Sequence, residues 1–146
     1  MTRILVVNGP NLGTLGDREP EVYGTATLHD IESALSARAA ELQVELTFAQ
    51  SNHEGALVDI LEAERHSAAG CILNPGGLSH TSVVLADAVR AFGKPVIEVH
   101  LSNIFAREAI RRVSLCAEAA AAVISGFGAQ GYTLALDGLV TMVRRT

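Results

Sequence analysis

The sequence predicts an α/β fold in which a parallel sheet is covered by helices on both faces. Three observations carry this. Short β-branched runs alternate with segments of helical period along the whole chain. The strand-like runs Ile4-Leu5-Val6-Val7 and Cys71-Ile72-Leu73 are continuously apolar, as strands buried on both faces are. Each is stopped by turn chemistry, Asn8-Gly9-Pro10 after the first and Asn74-Pro75-Gly76-Gly77 after the other.

The elements follow in order. After the first strand a Gly-rich polar stretch runs from Asn11 to Gly24. Leu28, Ile31, Leu35 and Leu42 then share a helical face, with Thr27 or Thr25 as cap. Val44 to Ala49 alternates and reads as a strand. Ser51 followed by Glu54 predicts a capping box for a helix that buries Leu57, Ile60 and Leu61. Past the third strand, Ser79 or Thr81 opens a helix carrying Val84, Leu85 and Val89. Gly93-Lys94-Pro95 turns into a fourth strand, Val96 to Val99. Residues 103–112 read as a short polar helix or irregular connection, and Ala119 to Ser125 as a fifth strand. Gly126 to Gly131 leads to a last helix with Leu136, Leu139, Val140 and Val143 inward. Right-handed crossovers between five such strands fit a flavodoxin-like three-layer sandwich of order 2-1-3-4-5. No linker or repeat interrupts it, so residues 1–146 read as one domain.

Composition narrows the function classes. Apolar residues make up 49% of the 146, enough for a core, while aromatics are only 4%, so that core is aliphatic. The net charge of −5 lacks the basic stripe of a nucleic-acid binder. No segment approaches the roughly 18 apolar residues of a membrane span. The N-terminus lacks the pattern of a signal peptide, so a soluble cytoplasmic protein is expected. Cys71 and Cys116 form no CxxC and read as buried free thiols.

Ligands of open α/β sheets bind beyond the carboxyl ends of the strands. There the sequence places Asn8, Asn11, Arg18 and Tyr23, then Asn52, His53 and Glu54, then Asn74, Gly76, Gly77 and His80, then Glu98, His100, Ser102 and Asn103. Turn formation accounts for Asn and Gly in such places, but not for two histidines, a tyrosine and an arginine. A small-molecule site on this rim is expected. Gly13-Thr14-Leu15-Gly16 matches neither phosphate-loop pattern. Asn74 stands where a phosphoacceptor domain needs a carboxylate, and His53-Glu54 lacks the second histidine of a zinc hydrolase, so no metal is assigned. His29 and His66 read as surface residues.

These residues closely resemble the type II 3-dehydroquinate dehydratases over nearly the whole chain, Ile4 to Leu136. The resemblance rests on Asn8-Gly9-Pro10-Asn11-Leu12, Arg18-Glu19-Pro20-Glu21-Val22-Tyr23-Gly24 and Gln50-Ser51-Asn52-His53-Glu54-Gly55. It continues in Asn74-Pro75-Gly76 with His80-Thr81-Ser82, Glu98-Val99-His100-Leu101-Ser102-Asn103, Ala106-Arg107-Glu108 and Gly128-Ala129-Gln130-Gly131-Tyr132. It implies a cofactor-free lyase that removes water from 3-dehydroquinate to give 3-dehydroshikimate through an enolate, in the shikimate pathway or in quinate catabolism.

The resemblance also implies roles. Tyr23 is the base. A free phenol is about 0.1% ionised at neutral pH, so such a base needs a cation beside it. Arg18 matches the family's essential arginine, and Arg107 adds to the field. His100 is the acid that protonates the departing hydroxyl, and Glu98, on the same strand face, can hold its ring. Asn11 matches the residue that stabilises the enolate through a water. Asn74, His80, Asp87, Arg111 and the Leu101–Ser102 backbone match substrate contacts. Asp87 acts from a neighbouring subunit of a dodecamer built as four trimers. Gly13, Gly16 and Gly24 bracket a segment expected to close over substrate.

Several positions depart from the family's commoner pattern. Gly13-Thr14 stands for Asn-Leu, Gly77-Leu78 for Ala-Tyr and Phe105 for His, and Val113, Leu115 and Glu118 also differ. None removes a proposed catalytic group. Two other readings stand beside the lyase: a flavodoxin-like module binding flavin or nucleotide, and a catalytically impaired oligomeric relative.

Overall fold

The computed structural model describes residues 1–145. Five parallel strands form one sheet in the order β2-β1-β3-β4-β5: β1 Arg3–Asn8, β2 Glu45–Gln50, β3 Gly70–Asn74, β4 Val96–His100 and β5 Ala122–Ser125. The expected order is the observed one. Helices α1 (Pro20–Tyr23), α2 (Leu28–Leu42), α3 (Glu54–Glu64), α4 (Val83–Phe92) and α5 (Gln130–Arg144) connect or follow the strands.

Alternation along β1 explains its continuous apolar run. Ile4 and Val6 face a core with Ile31 and Leu35 of α2 and Leu136 and Leu139 of α5. Leu5 and Val7 face the other core, with Leu57 and Leu61 of α3 and Leu85 and Val89 of α4. All four β1 side chains are fully buried. Each such side chain contributes roughly 1.5–3 kcal/mol by leaving water, so a polar residue anywhere in this run would be felt. Arg38 of α2 donates to Asp137 of α5 at 2.7 Å and ties the two helices of the first layer together.

Local signals were partly redirected. Thr27 caps α2 in a full capping box with Asp30. The capping box expected from Ser51 and Glu54 does not form. The Ser51 hydroxyl accepts from the His53 amide in a turn, His53 is the N-cap of α3, and the Glu54 carboxylate instead accepts from Ser82 Oγ at 2.6 Å, bridging α3 to α4. Ser79 and Thr81 do not start α4. Residues Gly76–His80 form a 3₁₀ turn, and Ser82 caps α4 by accepting from the Leu85 amide. Val84 is exposed rather than inward, since Leu85, Ala88 and Val89 already fill the buried arc. Residues 103–112 resolve into two short 3₁₀ turns, Ile104–Ala106 and Ala109–Arg112. The fifth strand is shorter than expected. Ala119 and Ala120 donate back to the Cys116 carbonyl in a tight turn, a geometry that small side chains of weak strand propensity permit.

Both cysteines are buried and free. Burial pushes their thiols far above the ordinary value, Cys116 to about 12 with the nearby Glu98 charge adding to the effect. His29 and His66 lie on the surface. Among the described residues no helix is long and apolar enough to cross a membrane.

Candidate active site

The cleft lies at the carboxyl ends of β1, β3 and β4. Gly9 sets its floor. A Cβ there would come within 2.7 Å of the Pro75 carbonyl oxygen, so only glycine lets the loops after β1 and β3 close on each other. The loop after β1 then turns outward, anchored by the buried Leu12 and Leu15. Gly16 has φ +98°, and a Cβ would strike the Thr27 methyl at 2.9 Å. This turn carries Arg18 and, on α1, Tyr23 back over the strand ends.

Arg18, Tyr23, Asn74, His80, His100, Leu101, Ser102, Arg107 and Arg111 all line one cleft, together with Leu12, Gly76, Gly77 and Ile104. Three guanidinium groups and no carboxylate line it, so it favours an anionic ligand. Glu108 sits outside the lining. It accepts from Arg111 at 2.9 Å and lies 3.7 Å from Arg107, and the Arg111 bond holds its carboxyl below the ordinary value.

The phenol oxygen of Tyr23 accepts from Arg18 Nη2 at 3.1 Å and from Arg107 Nη1 at 3.1 Å. The two guanidinium carbons also stand 4.3 and 5.3 Å from the ring centre. Arg107 is steadied by a further bond to Ser102 Oγ at 3.2 Å. Such a pair of cationic donors is a strong partner for negative charge on oxygen. The other tyrosine, Tyr132, is fully buried and donates to Asn8 Oδ1 at 2.6 Å. Burial pushes its phenol up and keeps it protonated, which leaves Tyr23 as the phenol facing the cleft.

His100 lies 2.8 Å from Glu98 Oε2 through Nε2. Glu98 is fully buried, and a carboxylate can only accept, so Nε2 carries the proton and Nδ1 is the nitrogen left for a ligand. Glu98 therefore holds the His100 ring, as their shared strand face predicts. His80 stacks beside His100 with ring centres 6.2 Å apart. Its Nδ1 donates to the Val113 carbonyl at 2.8 Å.

Not every expected residue reaches the cleft. Asn11 is exposed beside it with φ +70°, its amide held by Asn52 Oδ1 at 3.0 Å, and it is not among the lining residues. Asp87 is exposed on α4, 3.4 Å from Arg90 and away from this chain's own cleft. The end of β2 contributes no lining residue, contrary to the four-edge expectation. Gln50 and Asn52 brace the loop after β1, and Glu54 is taken up by Ser82. Asn74 lines the cleft but also donates to Tyr132 and accepts from the Gly76 amide, so it fixes the floor as well. Sequence reasoning missed Ser114, whose hydroxyl lies 2.9 Å from both Glu98 oxygens. It stands sixteen residues from Glu98, far from any strand end, and no local signal marks it. Tyr132 lies at the end of the Gly128–Tyr132 motif, and nothing in its helix pattern signals that its hydroxyl crosses to Asn8 of β1.

The family model for class II dehydroquinases matches residues 2–140. The chain belongs to this family. Two relatives called 3-dehydroquinate dehydratase bear this out. That of Gloeobacter violaceus is 50% identical over 143 residues, covering 98% of this chain and 89% of the relative. That of Acidovorax ebreus is 55% identical over 141 residues, covering 93% and 95%. The crystal structure of the type II dehydroquinase from Propionibacterium acnes superposes with a TM-score of 0.93 at 38% identity, over 97% of each chain. The class II dehydroquinase fold and the observed sheet order therefore agree.

Proposed function

We propose that the protein dehydrates 3-dehydroquinate to 3-dehydroshikimate, a reaction of the shikimate pathway, with its own side chains as the catalysts. The observation that carries this is the Tyr23 oxygen set between Arg18 and Arg107, in one cleft with the Glu98-held His100.

The substrate is a β-hydroxy ketone with a carboxylate. Tyr23, as phenolate, takes the proton from the carbon next to the carbonyl, and the C–H electron pair becomes the enolate. Arg18 and Arg107 hold the phenolate charge beforehand. Asn11, through a water, stabilises the enolate oxygen. The enolate then re-forms the carbonyl and expels the β-hydroxyl, which leaves as water with a proton from His100 Nδ1. Glu98 stabilises the imidazolium that precedes this step. Arg111, Asn74, His80 and the Leu101–Ser102 backbone bind the carboxylate and ring hydroxyls.

The proposal extends to assembly. Asp87 would complete a neighbour's site within a trimer, four of which form a dodecamer. In support, Asp87, Val83 and Val84 are all exposed on α4. The same proposal places the protein in the cytoplasm, where free thiols stay reduced.

The direct test is the ultraviolet absorbance of the conjugated enone when purified protein meets 3-dehydroquinate. Its growth supports the reading, and its absence with folded protein would overturn it. A lysine Schiff base is the competing chemistry. The single lysine, Lys94, donates to the Ala68 carbonyl at 2.6 Å, at the amino ends of β3 and β4, the opposite edge of the sheet. Borohydride added with substrate is therefore expected to leave activity unchanged. Inactivation with an adduct on Lys94, seen by mass spectrometry, would refute the enolate route.

A further inference from the structure

We propose that Ser114 is a positioning residue for the acid half of the site, acting on His100 through Glu98. The inference rests on the dehydratase reading for its kinetic consequence, but its physical content is a coupling between three side chains.

Glu98 is wholly buried on β4, between Leu73 of β3 and Val123 of β5 in the sheet register. A buried carboxylate needs partners for its charge. The bonds it makes are to His100 Nε2, at 2.8 Å from Oε2, and to the Ser114 hydroxyl, at 2.9 Å from each oxygen. One hydroxyl proton shared between both oxygens sits astride the carboxylate and fixes its rotation. That rotation decides which oxygen meets the imidazole and at what angle.

Ser114 is itself held. Its oxygen accepts from the Ala117 amide at 3.1 Å. On one side the Val113 carbonyl accepts from His80 Nδ1 at 2.8 Å, and on the other the Leu115 amide donates to the Ser79 carbonyl at 2.7 Å. Three consecutive residues thus fasten both histidines of the cleft, His80 directly and His100 through Glu98. Val113 and Leu115 depart from the family's commoner pattern, yet what they supply here is backbone, which any side chain can bring.

The charge balance gives the sign of the effect. The groups facing the pair are the His80 ring, the Cys116 thiol, and Tyr23, Arg18, Arg107 and Arg111 across the cleft. Without the Ser114 donor, the state that suffers most is the charged carboxylate beside a neutral imidazole, since no cation then compensates it at contact. The imidazolium is favoured, and His100 keeps its proton to higher pH.

The experiment compares wild type, Ser114→Ala and Ser114→Thr in the intact protein by two readouts. The first is the imidazole titration of His100 by nuclear magnetic resonance, without substrate. The second is kcat and KM for 3-dehydroquinate across pH. In Ser114→Ala the His100 midpoint should move to higher pH. Its kcat should fall about tenfold with KM little changed. Ser114→Thr, which keeps the hydroxyl, should restore both. Ser114→Ala should add nothing in a Glu98→Gln background. A His100 midpoint that stays put in Ser114→Ala overturns the proposal, as does a loss that threonine fails to restore. If the alanine variant does not fold, Ser114→Cys serves, since a thiol is a weak donor: it should shift the midpoint where threonine does not. A wild type that makes no enone would sink the functional reading alone, because the titration still decides the coupling.

Discussion

Tyr23→Phe should abolish measurable enone formation while leaving the fold intact. The change removes one oxygen from a half-buried ring that packs against the first core layer, so the hydrocarbon contacts survive. Arg107 keeps its bond to Ser102 Oγ, and no buried polar atom is stranded. Thermal stability should therefore hold to within a few degrees. The chemistry has no such reserve. The only other tyrosine is fully buried with its hydroxyl committed to Asn8, and burial holds it protonated. His100 Nε2 is committed to Glu98, and the proposed mechanism gives this residue the acid step. A positioned general base contributes roughly 10²–10⁴-fold, so kcat should fall by at least that. KM should change little, because in the proposed mechanism this oxygen meets the reacting C–H bond rather than the carboxylate. Steady-state kinetics with a melting curve on the same sample decide it. A kcat within tenfold of wild type would move the base elsewhere.

The parts of this arrangement legible in the sequence are those fixed by local rules. The β1 run is apolar on both faces because two helical layers cover it, and that pattern is readable without a structure. The crossover rules then give the strand order, and the order gives the rim on which Arg18, Tyr23, His80 and His100 meet. The Glu98–His100 pair follows from a strand period of two. What was not legible depends on partners distant in the chain. Glu54 has the spacing of a capping residue, but Ser82, 28 positions on, offers a hydroxyl at 2.6 Å and wins it. Ala119–Ala121 carries too little side chain to declare itself strand or turn, and the Cys116 carbonyl decides for a turn. Asn52 has the polarity of a site residue, yet its oxygen is spent on the Asn11 and Gln50 donors. Asn11 and Asp87 differ in kind from these. Their roles come from the resemblance, and a single chain leaves one beside the cleft and the other on an outer helix face.

Arg18→Ala should reduce kcat well below wild type but less than loss of the phenol itself, and the reason separates it from its neighbour Arg107. Both arginines donate to the Tyr23 oxygen at the same distance. Arg107 divides its charge, since Ser102 Oγ takes one bond and Glu108 stands 3.7 Å away. Arg18 has no carboxylate within ion-pair range among the described residues, and its guanidinium lies closer over the ring, 4.3 Å against 5.3 Å. Its positive charge is thus the less compensated of the two where the phenolate forms. At an effective dielectric of about 20, unit charges about 4 Å apart interact by about 4 kcal/mol. Water entering the truncated site returns part of this by solvating the anion, leaving about half. With about 1.4 kcal/mol for each tenfold, the expected fall in kcat is about 30-fold, with a smaller one for Arg107→Ala. Because Arg18 acts on the phenolate, adding Arg18→Ala to Tyr23→Phe should cost nothing further, a non-additivity that independent sites do not show. Arg18→Lys should recover only part, because an ammonium keeps the charge but cannot lie flat on the ring while donating to its oxygen. Single-turnover rates of the wild type and these variants would check this. A near-normal Arg18→Ala, or a double variant whose losses multiply, would leave the phenolate to Arg107 alone.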